Sequence, residues 1–491
     1  MKHPLLTLSF FLSFTCSFSQ NITAKIMDAK TKAPIPYANI KTGAYSGVIS
    51  NDEGFFSLNS ENPDTTVLNI SCLGYKSETL TIKDLKANNY VIKLHEAFNQ
   101  LDEIYISNKR PNADDIIAKV REKINDNYDF TLNKYNIFYR ATDYANFKNL
   151  DFEIDKASHV STKNTNKVNY SLDSLSKNII ASKIISFSDF KGEFSQLDKD
   201  SSKLAVAKAT KLLDHKKDFS VERIQEKTQE LVLKYLDTTK TYKLKSGIFK
   251  IEDSLSLVDK KFKEFKKNEH KISALKTNTK ALIKGSQFYD GSLLYTILNP
   301  DLYNYTLEDI TYYNDDLTYI IHYQPRKSKA KYAGKIIINS ENYAVTKLDY
   351  SYYKSNHGSK FNMKLLLGIK YVENLRTGTI LYQKNSENKY HPKYITQTLG
   401  SYFYVSRSLK FIENSRAKNK IGINFKIEGD NRNKQELLVT TNSKLSLNDF
   451  NLIKEVKTVP VQILKKFESS TWGNDEILEP LEEMKKFNGS E

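Results

Sequence analysis

Eight histidines, His3, His95, His159, His215, His270, His322, His357 and His391, are the side chains best suited to hold a metal or move a proton. A zinc hydrolase needs ligands at a short fixed spacing, as in HxxE or HExxH, and none of the eight begins either pattern. Scattered in this way, they read as surface or hydrogen-bonded histidines. The acidic turn Asn51-Asp52-Glu53-Gly54 has the look of a calcium loop but lacks the later acidic ligands. It reads instead as a hairpin turn with Gly54 at positive φ. The carboxylate pairs Asp114-Asp115 and Glu482-Glu483 lie in amphipathic or terminal segments, where solvation is the default. The sequence has no GxxxxGK[ST] phosphate loop, no GxGxxG, no GxSxG elbow and no CxxC. The expectation is a non-enzymatic protein with no catalytic, cofactor-binding or metal-ligating residues and no cofactor. A hydrolase built from dispersed residues is the alternative that motifs do not address.

The compartment is read from the first residues. Lys2 supplies a positive start, Leu5-Leu6-Thr7-Leu8-Ser9-Phe10-Phe11-Leu12 a short apolar run, and Ser17 and Ser19 small residues before Gln20. This predicts a secretory signal peptide over 1–19, too short to span a membrane. Ser13-Phe14-Thr15 makes a poor lipobox ahead of Cys16. Cleavage would leave Cys72 as the one cysteine, so an exported fold would stand on its core without an internal disulfide. Cys72 lies in Leu68–Leu73, a predicted strand, and reads as a small buried apolar residue rather than a nucleophile. No later apolar run is long enough for a transmembrane helix.

The 491 residues carry a formal net charge of +16 from 74 Lys and Arg against 58 Asp and Glu, yet only nine of the cations are arginine. Nucleic-acid readers use arginine for bidentate contacts to bases and phosphates, so a lysine excess argues against nucleic acid. Residues 203–284 hold 21 Lys and Arg against 11 Asp and Glu. That segment reads either as a solvated face or as a contact for an anionic surface.

The elements follow from periodicity. Short alternating pieces from Ile22 to Leu94, broken at Ala33-Pro34-Ile35-Pro36 and Asn51–Gly54, predict about seven strands in a small sandwich. Asn112 is placed to cap a helix whose apolar stripe is Ile116, Ile117, Val120 and Ile124. A strand with Tyr135, Ile137 and Tyr139 on one face follows. Phe152–Ile154 and Ser158–Ser161 are short strand candidates. Within 203–284, helices are predicted from Leu204 to about His215, over Val221–Leu236 and over Leu257–Phe265. Phe288–Leu298 reads as a short helix. An antiparallel meander is expected over about 305–441. It has strands at Thr306–Ile310, Leu317–Tyr323, Phe361–Tyr371, Thr379–Tyr382, Tyr394–Val405, Ile421–Ile427 and Glu436–Thr440. Its clearest hairpin joins Tyr332–Ile338 to Tyr343–Tyr350, with Thr346, Leu348, Tyr350 and Tyr352 on one side.

Four of these stretches carry a resemblance. Asp28 with Pro34-Ile35-Pro36-Tyr37-Ala38-Asn39-Ile40, then Gly47–Phe56, Leu68–Lys76 and Leu101–Ile106, resemble the successive motifs of the carboxypeptidase regulatory-like domain. Ala24 stands where many members have glycine. The resemblance implies a transthyretin-like sandwich at the N-terminus of an exported Bacteroidetes protein. It implies no peptidase activity, because in carboxypeptidases this sandwich is an accessory to the zinc domain. Asn127-Tyr128 with Phe138-Tyr139-Arg140, and the closing Trp472–Leu481, are similar to segments of uncharacterised Bacteroidetes proteins that carry the module. The hairpin Tyr332–Tyr350 is similar to one in the outer-membrane lipoprotein carrier superfamily, where an incomplete antiparallel barrel wraps helices around an apolar cavity.

The expected fold is mainly β with α+β: a signal peptide over 1–19, a seven-stranded sandwich over 20–106, and a larger antiparallel-sheet-plus-helices domain over 107–491. The expected role is a binding or interaction protein of the cell envelope, in the periplasm or associated with the outer membrane. Its partner would be an envelope protein, glycan or lipid. A carrier of a lipid or acylated ligand is the rival, with Leu348, Tyr350, Leu365 and Leu367 as candidate lining. Trp472, the one tryptophan, reads as an anchor for the tail. An outer-membrane barrel is disfavoured because Lys364, Lys370 and Lys384 interrupt the strands.

Overall fold

A computed structural model describes residues 20–43, 46–60, 65–97, 111–158, 160–182, 184–213, 236–247, 249–257, 269–313, 316–473 and 475–489. The expected signal peptide, the exit strand Leu101–Ile106 and the expected helix over Val221–Leu236, except for its last residue, lie outside these residues, as does most of the one expected over Leu257–Phe265.

The N-terminal module is a seven-stranded sandwich. β1 (Gln20–Asp28), β4 (Phe55–Ser60) and β7 (Val91–Leu94) form one sheet. β2 (Asn39–Lys41), β3 (Gly47–Ile49), β5 (Val67–Ser71) and β6 (Glu78–Thr81) form the other. Alternation along β1 turns Ile22, Ala24 and Ile26 inward, where they meet Phe56, Ile40, Leu68 and Ile70. The helix α1 (Ile82–Ala87) closes this core with Ile82 and Leu85, and a Thr81–Asp84 capping box starts it. Gly54 takes φ +76°, as its turn requires, and lies so close to β1 that a Cβ there would sit 2.4 Å from the Ile26 carbonyl oxygen.

The second sheet is far larger. Its order is β14 (Tyr303–Tyr313), β15 (Asp316–Pro325), β16 (Tyr332–Asn339), β17 (Val345–Tyr352), β19 (Ile369–Lys384), β20 (Tyr390–Glu413), β21 (Lys420–Lys444), β8 (Asn133–Ala157), β9 (Ile184–Gln196), β10 (Ser202–Leu212) and β23 (Gln462–Leu464). β11 (Thr241–Ser246) pairs with β20 and with β12 (Phe249–Ser256), and β18 (Lys360–Met363) pairs with β19. A separate ladder joins β13 (Glu269–Lys271) to β22 (Thr458–Pro460).

Nine steps separate β14 from β10, about 40 Å in a flat sheet at about 4.8 Å per strand. Leu307 and Ile310 of β14 nevertheless share one apolar core with Leu204 and Ala209 of β10. The sheet therefore curls, and three helices fill the curl: α2 (Ala113–Glu122), α4 (Ile272–Gly285) and α5 (Leu293–Ile297). Asn112 caps α2, and Ile116, Ile117 and Val120 face the core. Tyrosine hydroxyls tie the helix ends to the sheet: Tyr382 donates to the Ser286 carbonyl (2.5 Å) and Tyr305 to that of Ile297 (2.6 Å).

β8, β20 and β21 run on past this core into a second one, formed by Phe147, Leu150, Phe152 and Ile154 of β8 with Phe411, Ile421 and Ile423. The core-facing residues of β8 are odd up to Phe147 (Tyr135, Ile137, Tyr139) and even beyond it (Leu150, Phe152, Ile154). The phase flips because Lys148 is a bulge opposite Glu428–Gly429. The helix α3 (Thr162–Ala181) packs here through Val168, Leu172 and Ile179, and the Asn169 amide pairs with the backbone N–H and C=O of Ile154.

Several local expectations are corrected. Ser158–Ser161 is not a strand; Ser161 caps α3, a helix poor in strong helix formers that is held by its 168/172/179 stripe. Leu204–Leu212 is strand β10, because pairing with β9 and burial of Leu204 and Leu212 outweigh the helical propensity of its Lys, Ala and Leu. The described part of 203–284 is therefore mostly strand, with α4 its one described helix. Phe361–Tyr371 is a hairpin whose tip is the helical turn α6 (Lys364–Leu367), ended by Gly368 in the left-handed region. Thr346 does not share a face with Leu348: a bulge between Ile337 and Ile338 skips it, so Val345 joins Leu348 and Tyr350 in the core. Cys72 falls one residue past β5, against the sandwich core.

Gly54→Ala is expected to lower the thermal midpoint of the chain, at a cost of at least about 1–3 kcal/mol from the left-handed backbone alone. Differential scanning calorimetry checks this; an unchanged midpoint would show that β1 and the turn can part without loss.

Candidate functional site

The stretches that sequence reading singled out meet at one place, the joint between the sandwich, the outer face of the large sheet and the C-terminal segment. Phe138, Leu381, Tyr394 and Leu438 project from the sheet on the side opposite the helices. Ile49 and Tyr37 of the sandwich pack on them, and Trp472, Ile477 and Leu478 close the cluster. The indole meets the Phe138 ring edge-on at 5.2 Å, and Lys208 Nζ lies 5.4 Å from its centre. Trp472 is thus an anchor for the tail.

Polar groups fix the register of this contact. The Asn51 side-chain amide donates to the carbonyls of Glu479 (3.1 Å) and Pro480 (3.3 Å), while its oxygen accepts from Glu53 and Phe55 N–H inside the turn. Ser57 donates to the Glu479 carboxylate, which also pairs with Lys485. The first turn of α7 (Glu482–Lys485) offers the Glu482 N–H to Glu53 (2.8 Å). The acidic turn is a hairpin turn with Gly54 at positive φ, and its side chains form the socket for the tail.

Arg140 and Asp189 lie beneath it, 3% and 1% exposed. They are register partners on β8 and β9 and form a two-toothed ion pair, Nε–Oδ1 3.0 Å and Nη2–Oδ2 2.8 Å. The remaining Arg140 nitrogen donates to the Leu478 carbonyl at 3.1 Å. Burial lifts the Asp189 pKa and the guanidinium pulls it back. Beside this pair, Lys434 bridges Asp52 of the sandwich (2.6 Å) and Glu436 of the sheet (3.1 Å). Burial opposes the Lys434 charge, but the two carboxylates hold its pKa above the ordinary lysine range. Tyr394 donates to Glu436 (2.8 Å) and Tyr37 to Asp52. In this network Arg140, Asp189, Lys434, Asp52 and Glu436 each have an opposite partner, so the arrangement acts as a clamp.

The other candidates are dispersed. Among the described residues no group of three or more His, Cys, Asp or Glu could hold a metal ion, and no helix is long and apolar enough to cross a membrane. Burial pushes the Cys72 thiol up to about 11, against a thiolate nucleophile. Leu348 and Tyr350 are packed in the main core, whereas Leu365 is exposed on α6, so the lining proposed for a carrier does not come together. A cavity of about 880 Å³ forms a groove across β8, β19, β20 and β21. Of its charged groups, Asp430 is taken by Lys148 (2.6 Å) and Lys434 by the joint.

What periodicity missed is the tip of the β18–β19 hairpin. Leu365 is 104% exposed and Leu366 75%, with Phe361 also exposed. Lys360 and Lys364 flank the leucines, Lys364 over the Tyr404 ring at 4.2 Å, and Lys370 lies over Tyr402 at 5.3 Å. Beside the tip, a shallow groove runs past Arg407 to the Ser246–Gly247 turn of β11–β12, and Phe249 and Ile251 are exposed on the following strand. The only signal for it in the sequence is Lys364-Leu365-Leu366-Leu367-Gly368, three leucines in a row where a strand would alternate.

Residues 22–106 match the model of the CarboxypepD_reg-like domain, which covers the sandwich and less than a fifth of the chain. No curated protein matches the chain.

Arg140→Met leaves Asp189 buried without a counter-ion, and the expected loss is about 3–5 kcal/mol. Replacing both partners, Arg140→Met with Asp189→Leu, is expected to recover most of it. Urea denaturation measures both, and limited proteolysis should cut the 472–489 segment faster in the single variant. Equal stability of the wild type and Arg140→Met would refute the clamp.

Proposed function

We propose that the chain is a non-enzymatic interaction protein of the cell envelope that rests on an anionic lipid surface through the Leu365–Leu366 tip. The observation that carries this reading is the pair of almost fully exposed leucines in a collar of lysines. Exposed leucines on a soluble fold are costly in water unless they are buried against something. Each leucine gains about 1.5–3 kcal/mol on entering an apolar phase, and each nearby lysine or arginine adds about 1 kcal/mol at an anionic leaflet. Together these suit reversible attachment. The charged collar also prevents deep insertion, so the sheet would stand on the surface.

Export rests on the N-terminal segment, with Lys2, the apolar Leu5–Leu12 run and Ser17 and Ser19 before Gln20. The CarboxypepD_reg-like sandwich fits a binding role; its Tyr37 and Ile49 are engaged in the joint, whereas the hairpin tip sets two adjacent exposed leucines among lysines.

The test uses the chain from Gln20 onward with vesicles of phosphatidylcholine alone and of phosphatidylcholine mixed with phosphatidylglycerol. Co-sedimentation is expected with the mixed vesicles only, falling about tenfold or more in Leu365→Ser/Leu366→Ser. Equal binding to both vesicles, no binding, or an unaffected double variant would sink the reading.

A further inference from the structure

Lys393 breaks the pattern of every other named buried charge. On the β19 side of β20, Leu381 pairs with Tyr394 and Tyr382 with Pro392, so Lys393 is the extra residue of a bulge. Pairing with β21 begins only at Tyr394. The bulge turns a lysine out of the ladder and into the protein. Its side chain belongs to a residue only 3% exposed, and among the described residues it makes no hydrogen bond or ion pair. Two positions before it, His391 is buried with Nδ1 unpartnered.

Lys393 lines a cavity of about 260 Å³ between β2 and β3 of the sandwich and the outer face of the sheet. Lys41 from the sandwich and Lys384 from β19 line it too, with the amides of Gln383 and Asn388. Among the described residues Asp316 is the one carboxylate of the lining. Three lysines thus line a small space walled by two units of the fold, with Asp316 in the lining and Glu476 of the tail acting on Lys393 from nearby. A buried ammonium without a partner is expensive, and a cavity that gathers two more is arranged for negative charge. Burial drives Lys393 down to about 8, with Glu476 of the tail opposing the shift, and burial with the neighbouring Lys393 drives His391 to about 3.

We propose that this cavity is a binding site for a small oxyanion, a phosphate, sulfate or carboxylate group, with Lys393 as its buried counter-ion and Lys41 and Lys384 at its rim. A ligand there would touch the sandwich and the sheet at once. It would add a second fastening between them, separate from the tail.

Inorganic phosphate, sulfate and acetate are titrated into the chain from Gln20 onward, with chloride at matched ionic strength as the blank. Isothermal calorimetry and the thermal midpoint are read on the wild type, Lys393→Met and Lys93→Met, the last removing an equal charge from an exposed position on β7. At least one oxyanion is expected to bind and raise the midpoint of the wild type and of Lys93→Met, and to do neither in Lys393→Met. Which one binds separates phosphate-bearing from carboxylate-bearing ligands. Without anion, Lys393→Met is expected to be no less stable than the wild type, because it removes an uncompensated buried cation. Binding should weaken as the pH rises through about 8, where Lys393 loses its proton. The charged groups facing it are Lys41, Lys384, Asp316 and Glu476. If Lys393→Met does not fold, Lys41→Met/Lys384→Met carries the test, with an expected loss of about tenfold in affinity. No response to any of the three anions, or an equal response in the wild type and in whichever cavity variant is tested, would overturn the site.

Discussion

The Arg140–Asp189 pair is the constraint on which the arrangement of this protein turns. Both groups lie in the middle of a sheet face, where neither tolerates being alone. The pair uses two arginine donors and both carboxylate oxygens, and the tail carbonyl of Leu478 takes a further arginine donor. The tail must therefore lie across this point. Once it does, Glu479 and Pro480 are presented to Asn51 and Ser57, and the sandwich is held. A buried ion pair adds little net stability compared with apolar residues of the same size. Its value lies in direction, because only one register of tail and sandwich satisfies it.

This also explains why the large sheet is apolar on both faces. A sheet with one wet face alternates polar and apolar residues. Here the inner face is filled by α2, α4 and α5, and the outer face is covered near its middle by the sandwich and the tail. Consecutive residues such as Ile137, Phe138 and Tyr139 are accordingly all buried. Where the cover ends, the long strands continue into a second core under α3, and the bulge at Lys148 re-aims the apolar side to meet it.

What was legible in the sequence was local. The sandwich strands, the Asn112 cap, the Tyr332–Tyr352 hairpin and the turn at Gly54 are written in alternation, capping chemistry and glycine, which act over a few residues. The missed elements depend on distant partners. β10 looks helical by composition and becomes a strand because β9 and β23 pair with it. α3 has the polar surface of a loop and becomes a helix because the ends of β8, β20 and β21 need a cover. Alternation separates Phe138 and Arg140 from Tyr135, Ile137 and Tyr139, but nothing nearby in sequence shows that Trp472 and Leu478 return to cover their face. The bulge at Lys393 leaves no mark of its own; a lysine between proline and tyrosine reads like any exposed strand residue.

The convergence of the recognisable stretches bears on function. Asn51–Gly54, Phe138–Arg140 and Trp472–Pro480 are stretches that stand out in the sequence by turn chemistry or by resemblance, and all three take part in holding the molecule together. Residues with work to do elsewhere should be sought where the fold has left a cost unbalanced. Two such places stand out. One is apolar and outside, the leucines at the β18–β19 tip; the other is charged and inside, the lysine in the sandwich–sheet cavity. Water penalises the first and the low-dielectric interior penalises the second, so different partners relieve them: a hydrocarbon phase for the leucines, a negative oxygen for the ammonium. The joint fastens the sandwich to the sheet through matched charges, and so sets the two walls of the cavity in which the lysine's charge is left unmatched.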